Sequence, residues 1–242
     1  MSSSGHLSLV PGLLGWDLDG IDPELRKAFE VALHAGTAAA LAVALRDEVA
    51  GVLRTLDARR ALGIAQGLAP AAAVALLFER PIEQRLGSAR SVAVAQVVGG
   101  LVLALADRAP ATRPISDAGP LEHLLIGCGQ ATALVPGVSR NGATLTAARL
   151  LHFERPASSV LSRHAALPVI AGATALKTVR LARRGLPREL RGAFAAGAAV
   201  AFVSTLASRR LTDVMDGARS YLPFAAYRVA LGGFALGRLR AH

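Results

Sequence analysis

The chain has little cysteine, little aromatic character and little charge. Its one cysteine, Cys128, excludes a disulfide scaffold and any cysteine-cluster zinc site. Aromatic residues are 4% of the 242, so a soluble core would have to be built almost entirely from Ala, Leu and Val. Charged residues are 18%, against about 25% in an ordinary soluble domain. What is present is apolar: 52% of residues are hydrophobic and the mean hydropathy is +0.43. That excludes a disordered chain, which is poor in apolar residues. Yet the formal net charge is +10, from 27 Lys+Arg against 17 Asp+Glu. Two classes survive: a basic soluble helical protein with anionic partners such as nucleic acid, and a polytopic membrane protein.

The placement of the charge decides between them. A soluble helix carries charges every three or four residues along its polar face. Here residues 61–78, 91–106, 164–176 and 192–208 carry none, and 28–45, 121–139 and 220–237 carry one each: Glu30, Glu122 and Arg228. Dense charge clusters lie between these windows, as at Arg46-Asp47-Glu48 and from Arg180 to Arg191. An apolar stretch of about 17–25 residues is what a helix needs to cross a bilayer. The pattern predicts an all-α integral membrane protein with six spans, near 25–46, 62–79, 90–106, 158–180, 191–208 and 221–238. No nucleic acid partner is expected, and the basic loops face lipid head groups instead. Loop charges are nearly balanced between the two sides, so they give no orientation. The start, Met1 to His6, lacks the basic and apolar regions of a signal peptide.

Residues 2–15 and 120–152 are apolar but interrupted, the second by Pro136-Gly137 and Gly142. A break at membrane depth is tolerated where protein or a watery cavity covers the backbone. Both segments are therefore predicted to be re-entrant hairpins. They also share a pattern, S-x-x-G, at Ser2 to Gly5 and Ser139 to Gly142. Each is followed by a short apolar stretch, a polar turn and a span with a His-Ala pair, His34-Ala35 or His164-Ala165. This order of elements predicts a single membrane domain, 1–242, built as an inverted repeat. The first repeat covers about 1–106 and is N-terminally incomplete; the second covers about 120–242. Sites in such proteins lie where the repeats meet.

The segment Pro136-Gly137-Val138-Ser139-Arg140-Asn141-Gly142-Ala143-Thr144 places an arginine and two hydroxyls inside an apolar stretch. Burying a guanidinium there is costly unless it meets an anion or carbonyls. Free N–H groups at the start of the next helix attract phosphate, and Arg offers it a planar fork. The plain alternative is a Pro-Gly break with Ser139 or Asn141 as the helix N-cap. It is not a Walker loop, because no Gly-Lys-Ser/Thr follows.

These residues resemble the second motif, P-G-x-S-R-S-x-x-T, of the undecaprenyl-diphosphate phosphatases of the bacitracin-resistance type. The match is at Pro136, Gly137, Ser139, Arg140 and Thr144, with Asn141 in place of a serine. Ser2, Ser3, Gly5 and His6 are similar to the family's Ser-Ser-x-Gly-His segment. The stretches around Phe29-Glu30-Val31, Leu167-Pro168 and Pro223-Phe224 with Tyr227-Arg228 resemble its later spans.

The resemblance implies a multi-pass protein of the bacterial inner membrane, an inverted repeat with two re-entrant hairpins. It implies hydrolysis of undecaprenyl diphosphate to the monophosphate, recycling the lipid carrier of cell-wall synthesis with Mg²⁺ or Ca²⁺ assisting; a homodimer is compatible with it. It implies that Arg140 clamps the diphosphate, with Ser139, Asn141, Thr144 and Ser3 contacting phosphate. His6 becomes the general acid–base group or nucleophile; on its own it reads as a polar residue near a terminus.

One departure stands out. The family carries two glutamates one helical turn apart before its Ser-Ser-x-Gly-His segment, and the matching helix would precede Met1. Gln130, the residue at the analogous place in the second repeat, is a poor substitute for a carboxylate. The metal ligands are therefore unknown. The chain as it stands is expected to bind metal weakly and turn over slowly, unless its start is misassigned. The alternative is an impaired or repurposed membrane protein that binds or transports polyprenyl phosphates.

Overall fold

The computed structural model describes residues 3–16, 20–184, 188–208, 217 and 219–239. Among these there are ten α-helices. They are α1 (Ser3–Leu13), α2 (Pro23–Ala44), α3 (Arg46–Arg54), α4 (Ala58–Leu86), α5 (Ala89–Ala106), α6 (Pro120–Thr132), α7 (Arg140–Leu150), α8 (Arg155–Arg184), α9 (Arg191–Ala207) and α10 (Leu222–Arg238). The six predicted spans fall on α2, α4, α5, α8, α9 and α10. The two interrupted segments fall on α1 and on the broken pair α6–α7.

Local chemistry sets the helix starts. Asp22 Oδ1 accepts the Glu24 N–H at 2.9 Å, with Pro23 at the first position of α2. Ser88 Oγ accepts the Ser91 N–H ahead of α5. Pro120 opens α6, and Glu122 reaches back to the Gly119 N–H at 3.0 Å.

One element was not foreseen. The charge cluster at 46–48 reads as a loop, but it opens α3, bent 65° from α2. Val49, Val52 and Leu53 follow at helical spacing, so α3 has one apolar stripe and charged flanks. Such a helix can lie along an interface, where charge is tolerated.

By length and hydropathy, α4 and α5 can each cross a bilayer, and the bent pair α2–α3 would make a third span. At 17 residues α9 is apolar but shorter, and α10 is as short with Arg228 inside it. In α8 the charge-free stretch 164–176 is too brief to pass alone. The burial pattern is the reverse of a soluble bundle's. In α4 the buried residues are Gly63, Gly67 and Ala71, while Leu76 is 86% and Leu77 70% exposed. Small residues inward and large apolar ones outward suit a lipid solvent.

The chain divides into two compact units. One contains α2, α3, α9 and α8 from Leu167. Here α2 and α9 pack through Phe29 and Phe194, edge to face at 5.3 Å, and through Thr37 and Thr205. The other contains α1, α4 from Arg59, α5, α6, α7, the start of α8 and α10. Its centre is the α5–α10 crossing, where a Cβ on Gly100 or Gly232 would lie 2.9 or 2.6 Å from the carbonyls of Ala225 and Ala93. Leu9 of α1 packs there against Val92, Ala93 and Ala235.

In this second unit a buried carboxylate ties four segments together. Asp107, just after α5, bonds Arg155 Nε at 2.7 Å, Ser220 Oγ at 2.8 Å and the Tyr221 N–H at 2.8 Å. Arg149 of α7 lies 3.6 Å from the same carboxylate.

Candidate active site

The α6–α7 break is built residue by residue. The N–H groups of Ala133, Leu134 and Val135 donate to carbonyls three residues back, which tightens the end of α6. Pro136 then prevents continuation. Gly137 turns the chain at φ 93°, and a Cβ there would run into the Val92 carbonyl of α5. Ser139 caps α7: its Oγ accepts the Gly142 N–H at 3.2 Å, and its carbonyl accepts the Ala143 N–H at 2.8 Å. The Arg140 and Asn141 amides bond nothing among the described residues, so α7 presents free N–H groups and the positive end of its dipole.

Arg140 is the first residue of α7. Among the described residues its guanidinium makes no hydrogen bond and no ion pair. Ser139 is buried. Thr144 is fully buried, and its hydroxyl donates back toward the Arg140 and Asn141 carbonyls at 3.0 and 3.1 Å. It also lies 2.6 Å from Ser162 Oγ of α8, which donates to Asn141 Oδ1 at 2.7 Å. This network uses the protons of Thr144 and Ser162 and leaves the Asn141 Nδ2 donors unbonded among the described residues.

A second arginine reaches the hairpin from α10. Arg228 is 3% exposed. Its Nε donates to Gln96 Oε1 of α5 at 3.0 Å, and its Nη2 to the Gly137 carbonyl at 3.3 Å. The residue before it, Tyr227, meets His6: His6 Nε2 and the Tyr227 hydroxyl are 2.7 Å apart, with the rings stacked at 5.7 Å.

The structure thus gathers Ser139, Arg140, Asn141 and Thr144 in one turn. His6 is tied to α10 at the position next to the arginine that touches that turn. Ser3 opens α1, but its side chain lies outside the described residues, as do Met1 and Ser2.

The whole chain has relatives. The family described as Bacitracin resistance protein BacA matches residues 1–234. The chain belongs to this family. It is 38% identical to the undecaprenyl-diphosphatase of Geobacter sulfurreducens, over all of this chain and 92% of that protein. It is 34% identical to the undecaprenyl-diphosphatase of Campylobacter curvus, over 98% of this chain and 91% of that protein. The corresponding protein of Chromohalobacter salexigens is 36% identical, over 96% and 89%.

For this BacA family member, sequence reasoning missed Arg228, Gln96, Tyr227 and Ser162 as residues around the hairpin. Arg228 was visible as the lone charge of its window, and an ionisable residue at membrane depth signals a site. Gln96 stood alone as an amide in an uncharged window; Ser162 carried no signal. Gln130 is buried, its Nε2 donates to the Gly67 carbonyl at 3.3 Å, and its Oε1 has no partner among the described residues. It therefore acts here as an α4–α6 link.

The described residues do not fit a divalent cation at the hairpin. No group of three or more His, Cys, Asp or Glu among them could hold a metal. The ionisable residues that the hairpin turn carries or receives, Arg140 and Arg228, are cationic.

Proposed function

We propose that this protein is an undecaprenyl-diphosphatase of the bacterial plasma membrane, releasing inorganic phosphate and leaving undecaprenyl phosphate. The observation that carries this reading is an uncompensated guanidinium, Arg140, on the first turn of α7 inside an apolar hairpin. A helix N-terminus and an arginine together select a phosphate oxygen. The family relationship supplies the substrate class.

Phosphoryl transfer depends mainly on positioning and on stabilising developing charge. Arg140 clamps the diphosphate with its fork. The free amides of Arg140 and Asn141, the Ser139 hydroxyl and Asn141 Nδ2 complete the donor set, and Ser3 adds to it from α1. Thr144 and Ser162 hold the turn in shape. Water attacks the terminal phosphorus, and the bridging oxygen leaves on the lipid phosphate. His6, oriented by Tyr227, takes the proton of the attacking water. The divalent cation implied by family resemblance has no ligand set among the described residues, so no step is assigned to it.

Six membrane crossings by α2 with α3, α4, α5, α8, α9 and α10 belong to the same reading. So does the inverted repeat, with α1 and α7 as equivalent short helices. The matching order, a short S-x-x-G helix followed by a long helix bearing a His-Ala pair, supports it.

The second reading is lipid-phosphate binding without hydrolysis. It draws on the lack of a carboxylate facing Arg140 among the described residues. Detergent-purified protein given undecaprenyl diphosphate and Mg²⁺ decides between them. Phosphate release that Arg140→Ala lowers by about 100-fold is expected. Binding without any release would leave only the second reading.

A further inference from the structure

We infer that Arg228 is a second phosphate-binding residue of this site, set in position by Gln96; the inference rests on reading the hairpin as a diphosphate site. The guanidinium lies between two glycines. A Cβ on Gly99 would come within 2.5 Å of Nη2, and one on Gly142 within 2.5 Å of Nη1. Nη1 is thus aimed at the first turn of α7. Its sister nitrogens are bonded to Gln96 and Gly137, but Nη1 has no bond among the described residues.

Charge makes the argument. A guanidinium withdrawn from water needs an opposite charge or loses stability. The oxygens of Gln96 and Gly137 are neutral, so they orient Arg228 and leave its charge intact. The same turn adds Arg140 and the positive end of α7. No carboxylate among the described residues answers this cluster. A diphosphate would.

Gln96 carries the independent sign. It is fully buried, and its Nε2 donor has no acceptor among the described residues. The amide cannot be turned over, because Arg228 Nε needs the oxygen. A buried donor left open beside an uncompensated cation is what an absent anion leaves behind. An amide here orients the arginine; a carboxylate would neutralise it.

Gln96→Glu tests this. It keeps the shape and gives Arg228 a counter-ion, so a purely structural pair should accept it. Two quantities are read on detergent-purified protein: the rise in melting temperature caused by sodium pyrophosphate, and KM and kcat for undecaprenyl diphosphate. The variant should melt no lower than the parent, lose most of the pyrophosphate shift, and raise KM by about tenfold with a smaller change in kcat. Arg228→Lys keeps the charge without the fork and should raise KM as well; it serves if Gln96→Glu does not fold. Variants that keep both the parent's pyrophosphate shift and its KM overturn the inference, and leave hydrolysis standing if the parent releases phosphate. A parent that releases no phosphate but gains a pyrophosphate shift that Gln96→Glu removes supports the inference while hydrolysis fails. A parent that shows neither release nor a shift overturns both.

Discussion

Helix α7 carries an arginine at each end, and the protein treats them in opposite ways. Arg149 is wholly buried, with both Nη groups bonded and its Nε facing a carboxylate at 3.6 Å without a hydrogen bond among the described residues. It lies against the Asp107 carboxylate and donates to the carbonyls of Asp107, Ala109, Pro110 and Phe153. Arg140, about 14 Å away along the helix axis by helical rise, has no such partners among the described residues. One guanidinium is spent on the fold and the other is kept for a ligand. A buried arginine therefore says little by itself; its accounted or unaccounted charge says what it is for.

Substitution should separate the two ends. Arg149→Ala leaves Asp107 with one cation fewer and orphans several carbonyls. Breaking a buried pair costs about 3–5 kcal/mol, so the protein should aggregate on extraction or melt far below the parent. Arg140→Ala should melt near the parent and lose turnover instead. Size-exclusion profiles and melting curves of both variants check this. An Arg149→Ala protein that folds normally and loses only turnover would end the distinction.

Acid sharpens the same comparison from the Asp107 side. Burial pushes this carboxyl up, but hydrogen bonds from Arg155, Ser220 and the Tyr221 N–H, with the charge of Arg155, outweigh it and hold the carboxyl below its ordinary value. A carboxyl lowered on folding stabilises the fold above its unfolded pKa, about 3.9, and that stabilisation fades as pH falls through the lower folded value. Melting temperature should stay level from about pH 7 to 5 and drop below about pH 4. Asp107→Asn should melt lower at neutral pH and show a smaller acid drop. If the two proteins lose stability in parallel, Asp107 is not the group responsible.

Much of this was legible locally, because the constraints are local. Charges avoid lipid, so gaps in the charge pattern marked the long helices. Pro136-Gly137 cannot continue a helix, so the hairpin showed itself. Ser139 was readable both as an N-cap and as part of a phosphate site, and its capping bond is compatible with both. What was hidden depends on segments far apart in sequence meeting in space. Nothing near Arg228 announces that it will reach Gly137, 91 residues earlier. Asp107 read as one charge in a loop, yet it fastens α7, α8 and the start of α10. Charge density also misled at α3, where a helix with charged flanks looks like a loop.

The smallest effect concerns the α1 end of the site, where proton transfer rather than anion binding is assigned. Tyr227→Phe keeps the stacked ring beside His6 and deletes only the 2.7 Å hydrogen bond. One such bond is worth about 0.5–1.5 kcal/mol, so kcat should fall roughly two- to tenfold with KM little changed. His6→Ala removes the proton-transfer group itself and should lower kcat by about 100-fold or more. The hairpin variants should differ in kind, because weakened phosphate contacts at Arg228 raise KM first. If Tyr227→Phe raises KM and spares kcat, Tyr227 serves the anion with its neighbour Arg228, and the division of labour along α10 falls.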